Sequence, residues 1–140
     1  MPSGQGGSAL PSFYSTQMTF EEGQPVPIRS LDSVAELLPD QARVVMKVDV
    51  EGTEDAVFES GQQFLTAFRP DILCEVLQQA NGERLDELLK PAQVRRYLVT
   101  DAALVERERI VPDDRFRDWL FSRLSPEELR GVGLSVATSR

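Results

Sequence analysis

The sequence predicts an α/β fold with a mostly parallel sheet, and three observations carry that prediction. Val44–Val50 and Asp71–Leu77 are apolar runs without clean alternation, the pattern of strands covered on both faces. A helix-length segment joins them, and a second helical segment leads on to a third strand at Arg96–Thr100. Right-handed crossovers between such strands set them parallel, with helices against the sheet.

The elements follow in chain order. Residues 1–24 are rich in Gly, Ser, Pro and Gln without a sustained period, and are expected to form a flexible arm. The glycines of Ser3–Ser8 do not make a phosphate loop, since no strand precedes them and no helix clearly follows. Val26–Arg29 reads as short and extended. Leu31, Val34 and Leu38 recur at helical spacing after a cap at Ser30 or Asp32, and Pro39 stops that helix. Gly52 suits a sharp turn out of Val44–Val50. The next helix runs from about Thr53 to Phe68, bent or broken at Gly61 and ended by Pro70. After the strand Asp71–Leu77, Asn81-Gly82 turns into a helix over Glu83–Leu89, stopped by Pro91. Leu104–Val111 continues the strand Arg96–Thr100 or pairs with it as a hairpin. Phe116–Leu124 fits a strand or a helix. Ser125 caps a short helix with Pro126 at its first position, and residues 125–140 form a polar tail.

Composition bounds the chemistry. The chain has 140 residues, 41% of them hydrophobic and 27% charged, enough for one compact domain and too few for two ordinary ones. No apolar run approaches the roughly 18–20 residues of a membrane helix. The N-terminus lacks the order of a signal peptide, so the chain is expected to be cytoplasmic. One cysteine, Cys74, excludes an internal disulfide and multi-cysteine metal sites. With no histidine, Ser-His-Asp and Cys-His catalysis and His-ligated zinc are excluded as well. A net charge of −8 repels phosphate backbones and anionic membranes, which argues against a nucleic-acid partner.

Ligands of open α/β sheets sit outside the carboxyl ends of the strands. Asp49 and Glu51 lie at the end of the first strong strand, two residues apart and so on one side of it, with Glu54 and Asp55 at the following helix start. Glu75 closes the second. This carboxylate cluster suits a metal site of oxygen ligands, a general base, or an acceptor for a ligand ammonium or hydroxyl. The structural alternative is that Glu51 and Glu54 cap the helix while Asp49 accepts backbone N–H bonds. Glu75 and Lys47 interrupt apolar runs, where a lone charge is costly, so each calls for a partner; one solution pairs them with each other. Cys74 and Trp119, with Phe116 and Phe121, read as core.

The segment VVMKVDVEGTEDAVFESGQQFLTAFRPDILCEV, Val44–Val76, closely resembles the signature of the FkbM-type S-adenosylmethionine-dependent methyltransferases. The matching positions are Lys47, Val48, Asp49, Val50, Glu51, Gly52 and Glu54, then Gly61, Pro70 and Glu75. Val26–Asp32 resembles the family's upstream segment, and Tyr97 with Asp118–Phe121 resembles its closing strands. The resemblance implies a partial Rossmann-like sheet of the class I methyltransferase type. The sheet would lack the N-terminal cofactor-binding strands, because no glycine-rich loop and no ribose-binding carboxylate are encoded here. The domain would span residues 25–124 and form the C-terminal half of the methyltransferase fold.

By this resemblance Asp49 is the catalytic candidate, with Glu51, Gly52, Glu54 and Glu75 close to substrate or cofactor and no metal ligands. The implied cofactor is S-adenosylmethionine, although no residue of this chain is assigned to its adenosine. The implied acceptor is a small molecule, a hydroxyl on a sugar, lipid or secondary metabolite. Three alternatives stand: a methyltransferase chain, a non-catalytic protein pairing through an exposed sheet edge, and a carboxylate–metal enzyme using Asp49, Glu51 and Glu54. A homo-oligomer, a missing N-terminal half or the chain's own arm, residues 1–24, would complete the open edge of Val44–Val50.

Overall fold

The computed structural model describes residues 23–138, so the expected arm at 1–24 lies almost wholly outside the described residues. Val26–Arg29 is exposed and joins no ladder. Helix α1, Leu31–Val34, is capped by Ser30, whose side chain accepts from the Ser33 N–H, and it tightens into a 3-10 turn over Ala35–Leu37. Asp32 instead accepts the Phe64 N–H at 2.8 Å and ties α1 to the helix that follows the first strand.

Strand β1, Val45–Val48, leads through a turn into α2, Glu54–Glu59. Gly61 interrupts the helical run as expected, and α3, Gln62–Phe68, begins after it. Arg69 ends α3 in the left-handed region at φ 43°, and Pro70 forbids continuation. Then come β2, Asp71–Glu75, and α4, Gly82–Leu89, capped by Asn81. Strands β3, Arg95–Val99, and β4, Leu104–Arg107, form a hairpin, which settles the role of the segment after Thr100. Strand β5, Asp118–Ser122, precedes α5, Pro126–Gly131. Ser125 closes α5 with a full capping box: it accepts from the Glu128 N–H while Glu128 accepts from its own.

These strands form one five-stranded sheet in the order β1-β2-β5-β3-β4. The architecture is mixed α/β, but the expected mostly parallel sheet is corrected. Only β1–β2 is a parallel pair, and β2–β5, β5–β3 and β3–β4 are antiparallel. The cause is the position of β5. β1, β2 and β3 all run the same way, as the crossover argument requires, but β5 enters between β2 and β3 from the opposite direction. The β3–β4 hairpin adds another antiparallel pair.

A second correction concerns burial. On one face Val48, Ile72, Cys74, Leu98, Trp119 and Phe121 pack under Phe58, Leu65, Leu85, Leu88 and Leu89 of α2, α3 and α4, which is the main core. Among the described residues the other face is covered over β3–β5, where Tyr97 and Leu104 meet Leu129 and Val136 of the segment assigned to the tail. β1 is therefore not covered on both faces: Val45 is 76% exposed, and among the described residues β1 ends the sheet instead of lying at its centre. The apolar run concealed an alternation, because Val45 and Lys47 share the open face while Met46 and Val48 face the helices.

Candidate functional site at the strand ends

The parallel register sets Lys47 beside Leu73 and Val48 beside Cys74, so Asp49, one step on, draws level with Glu75. The Asp49 carboxyl lies close enough to Glu75 to raise the Glu75 pKa. Lys47 contacts Asp49 at 3.6 Å. The direct Lys47–Glu75 pair, one of the solutions open from sequence, does not form; Lys47 pairs with Asp49 instead. Across β2 the antiparallel register places Asp118 opposite Glu75. The open face at the carboxyl ends of β1 and β2 therefore carries Lys47, Asp49, Glu75 and Asp118 together.

The turn beneath this group is strained in a specific way. Glu51 and Gly52 are both left-handed, at φ 55° and 103°, and the second costs nothing only because it is glycine. Glu54 turns back so that its carboxylate accepts the Gly52 N–H at 3.0 Å; it is 2% exposed. Thr53 donates its hydroxyl to the Val50 carbonyl at 3.1 Å. Glu54 therefore holds the turn from below, whereas Asp49, Glu51 and Gly52 are exposed above it. Asp55 accepts the N–H of Ala56 at the start of α2.

Electrostatics follow from this crowding. Burial lifts the Glu75 carboxyl above its ordinary 4.5; its interaction with the Asp49 side chain and the charges of Asp49 and Asp118 add to it, while Arg117 opposes. Cys74, fully buried below, is pushed far up, first by burial and then by the charges of Glu54, Glu75, Asp118 and Asp49. Its thiol is inert core. A carboxyl whose pKa is raised by folding binds its proton more tightly in the native state, so its contribution to stability falls as pH rises past the ordinary carboxylate range. Glu75→Gln should flatten that slope, gaining stability over the wild type as pH rises from about 4 to 7. Denaturant midpoints across that range measure it, and parallel curves for the two proteins would refute the raised Glu75 pKa.

Among the described residues, no group of three or more His, Cys, Asp or Glu side chains is arranged to hold a metal ion. No helix among them is long and apolar enough to cross a membrane. One depression, about 800 Å³, opens at the opposite, amino ends of β1 and β2, between Arg43, Arg69, Asp71 and Arg123. Two others, about 530 and 410 Å³, flank the 107–112 segment. None of these three contains Asp49, Glu51, Gly52, Glu54 or Glu75. The carboxylate cluster is the candidate site because it lies at the carboxyl ends of the parallel pair β1–β2, where ligands of α/β sheets sit.

A family model, the methyltransferase FkbM domain, matches residues 2–109. The chain belongs to the FkbM methyltransferase domain family. No curated protein and no solved structure matches it. The FkbM match takes in β1 to β4 and the whole Lys47–Glu75 segment, and it begins within residues 1–24. β5 lies beyond the matched residues, and with it Asp118, which the sequence reasoning did not single out. No spacing along the chain could have found Asp118, since only the antiparallel β2–β5 register brings it to Glu75.

Proposed function

We propose that this chain is an S-adenosylmethionine-dependent methyltransferase-family polypeptide that presents the acceptor side of an O-methylation site for a hydroxyl on a sugar, lipid or secondary metabolite. The observation that carries this reading is the Asp49–Glu75 pair at the carboxyl ends of two parallel strands, within a chain of the FkbM family. Methyl transfer to a hydroxyl needs the acceptor oriented and its proton removed. Asp49 suits both roles, because it is reachable from solvent and Lys47 contacts it at 3.6 Å. Glu51 and Gly52 form the rim beside it, and Glu54 keeps the rim in shape.

The described residues fit the cofactor poorly. Carboxylates crowd the strand ends, but they line none of the three depressions, and the first strand has no glycine turn before it to cradle an adenosine. The chain by itself is therefore expected to bind S-adenosylmethionine weakly or not at all. Calorimetric titration at submillimolar cofactor tests this, and saturable one-to-one binding by a monomer would contradict it.

Any preparation that does transfer methyl groups gives the functional test. Asp49→Asn should lower turnover by about 100-fold or more, the usual worth of a positioned general base. The unfolding midpoint should hardly move, because the Asp49 side chain is 45% exposed. Full turnover in the variant would remove Asp49 from the mechanism.

The second reading, a non-catalytic protein that pairs through a sheet edge, is favoured by one observation: β1 ends the sheet with its outer side unpaired among the described residues.

A further inference from the structure

We propose that the outer edge of β1 pairs with β1 of a second copy of this chain, antiparallel and centred on Met46. The Asp71 N–H donates to the Val44 carbonyl at 3.1 Å. In a parallel ladder alternate residues face the neighbouring strand, so Val44, Met46 and Val48 direct their backbone groups toward β2. The N–H and C=O groups of Val45 and Lys47 then point to the outer edge, which no other described strand occupies. Such an edge is a template for another strand, and exposed Val45 and Leu73 flank it on the open face.

The distribution of charge along the strand selects the occupant and its register. Arg43, Val45, Lys47 and Asp49 share the open face, as the Arg43–Asp71 contact at 4.0 Å and the Lys47–Asp49 contact at 3.6 Å show. Two-fold antiparallel pairing must oppose outward-pointing residues to one another. Centred on Val45, it sets Arg43 against the partner's Lys47. Centred on Lys47, it sets that lysine against its own copy. Like charges directly opposite are destabilising, so both registers are disfavoured. Centred on Met46, Val45 faces the partner's Lys47 in a hydrogen-bonded pair, Val44 faces the partner's Val48, and Arg43 faces the partner's Asp49. This register opposes no like charges and matches apolar to apolar on the helix-covered face.

The pairing is isologous, so it closes on itself as a dimer with one continuous sheet. Arg43 is free to move into it, since its side chain is 80% exposed and its contact with Asp71 is long. Each copy would then place a guanidinium beside the other's Asp49 and Glu75. This inference stands on the edge and its charges and does not depend on the methyltransferase reading.

Light scattering and sedimentation of the full chain at micromolar concentration should find a dimer. Arg43→Asp alone and Asp49→Arg alone should each weaken it by about tenfold or more, a change equivalent to about 1.4 kcal/mol. The double variant R43D/D49R should restore it. Met46→Cys should give a disulfide-linked dimer on mild oxidation, because a directly opposed non-hydrogen-bonded pair holds its Cα atoms about 4.5 Å apart, within a disulfide's span. Cys74 is buried and stays silent in that assay. A chain that is monomeric throughout this range, or a dimer indifferent to both charge reversals, overturns the proposal.

Discussion

Trp119→Ala is expected to cost the fold about 3–5 kcal/mol, the largest loss of any single truncation in the sheet. Trp119 is 1% exposed and sits at mid-strand in β5, between Cys74 of β2 and Leu98 of β3. Its ring stacks on Phe121 with centroids 6.2 Å apart, and both belong to the cluster under α2, α3 and α4. Truncation therefore opens a cavity where the two halves of the sheet join, and the neighbouring strands are too tightly laddered to collapse into it. Trp119→Phe should cost much less. Phenylalanine keeps most of the apolar contact and removes an indole N–H that meets no acceptor among the described residues. Urea midpoints at constant m-value measure both, and a Trp119→Ala loss below about 1 kcal/mol would place this residue outside the core.

The same residue marks the limit of the sequence reading. Trp119-Leu120-Phe121 is visibly apolar, and its assignment to the core holds, but neither strand direction nor strand order is written in it. Local signals were legible because they act within a turn or two. Examples are the Ser30 and Ser125 caps, the break at Gly61, the stop at Pro70 and the freedom needed at Gly52. The antiparallel insertion of β5 depends on pairings between residues far apart in the chain, Ile72 with Phe121 and Arg96 with Phe121, which periodicity does not encode. The candidate site divides in the same way. Asp49 and Glu75 were legible as carboxylates at strand ends, but their mutual proximity and the approach of Asp118 follow from register. The exposure of β1 was hidden by composition: Val-Met-Lys-Val reads as buried unless the lysine is allowed to mark a face.

Gly82→Ala should destabilise the protein by about 1–3 kcal/mol, although alanine is the better helix former. Gly82 opens α4 and is buried, and a Cβ added there would lie 1.9 Å from the Ile110 carbonyl oxygen and 2.9 Å from its carbon. The obstacle is backbone, so no side-chain rotation relieves it. Nor can the 107–112 segment easily retreat. The Ile110 N–H donates to Asp86 Oδ2 of α4 at 3.0 Å, the other oxygen of Asp86 is held by Arg96 of β3, and Ile110 itself is 2% exposed in the core. Helix, strand and loop are thus fastened through one carboxylate, and a methyl group at Gly82 pushes against all three. Gly131→Ala provides the opposite sign. It sits at the end of α5 with nothing within 4 Å of an added Cβ, so propensity alone acts, and stability should rise by up to about 1 kcal/mol. Thermal or denaturant midpoints for the two variants, measured side by side, should therefore move apart. If Gly82→Ala rises with Gly131→Ala, the loop does not lie against α4 and the Asp86 junction is wrong.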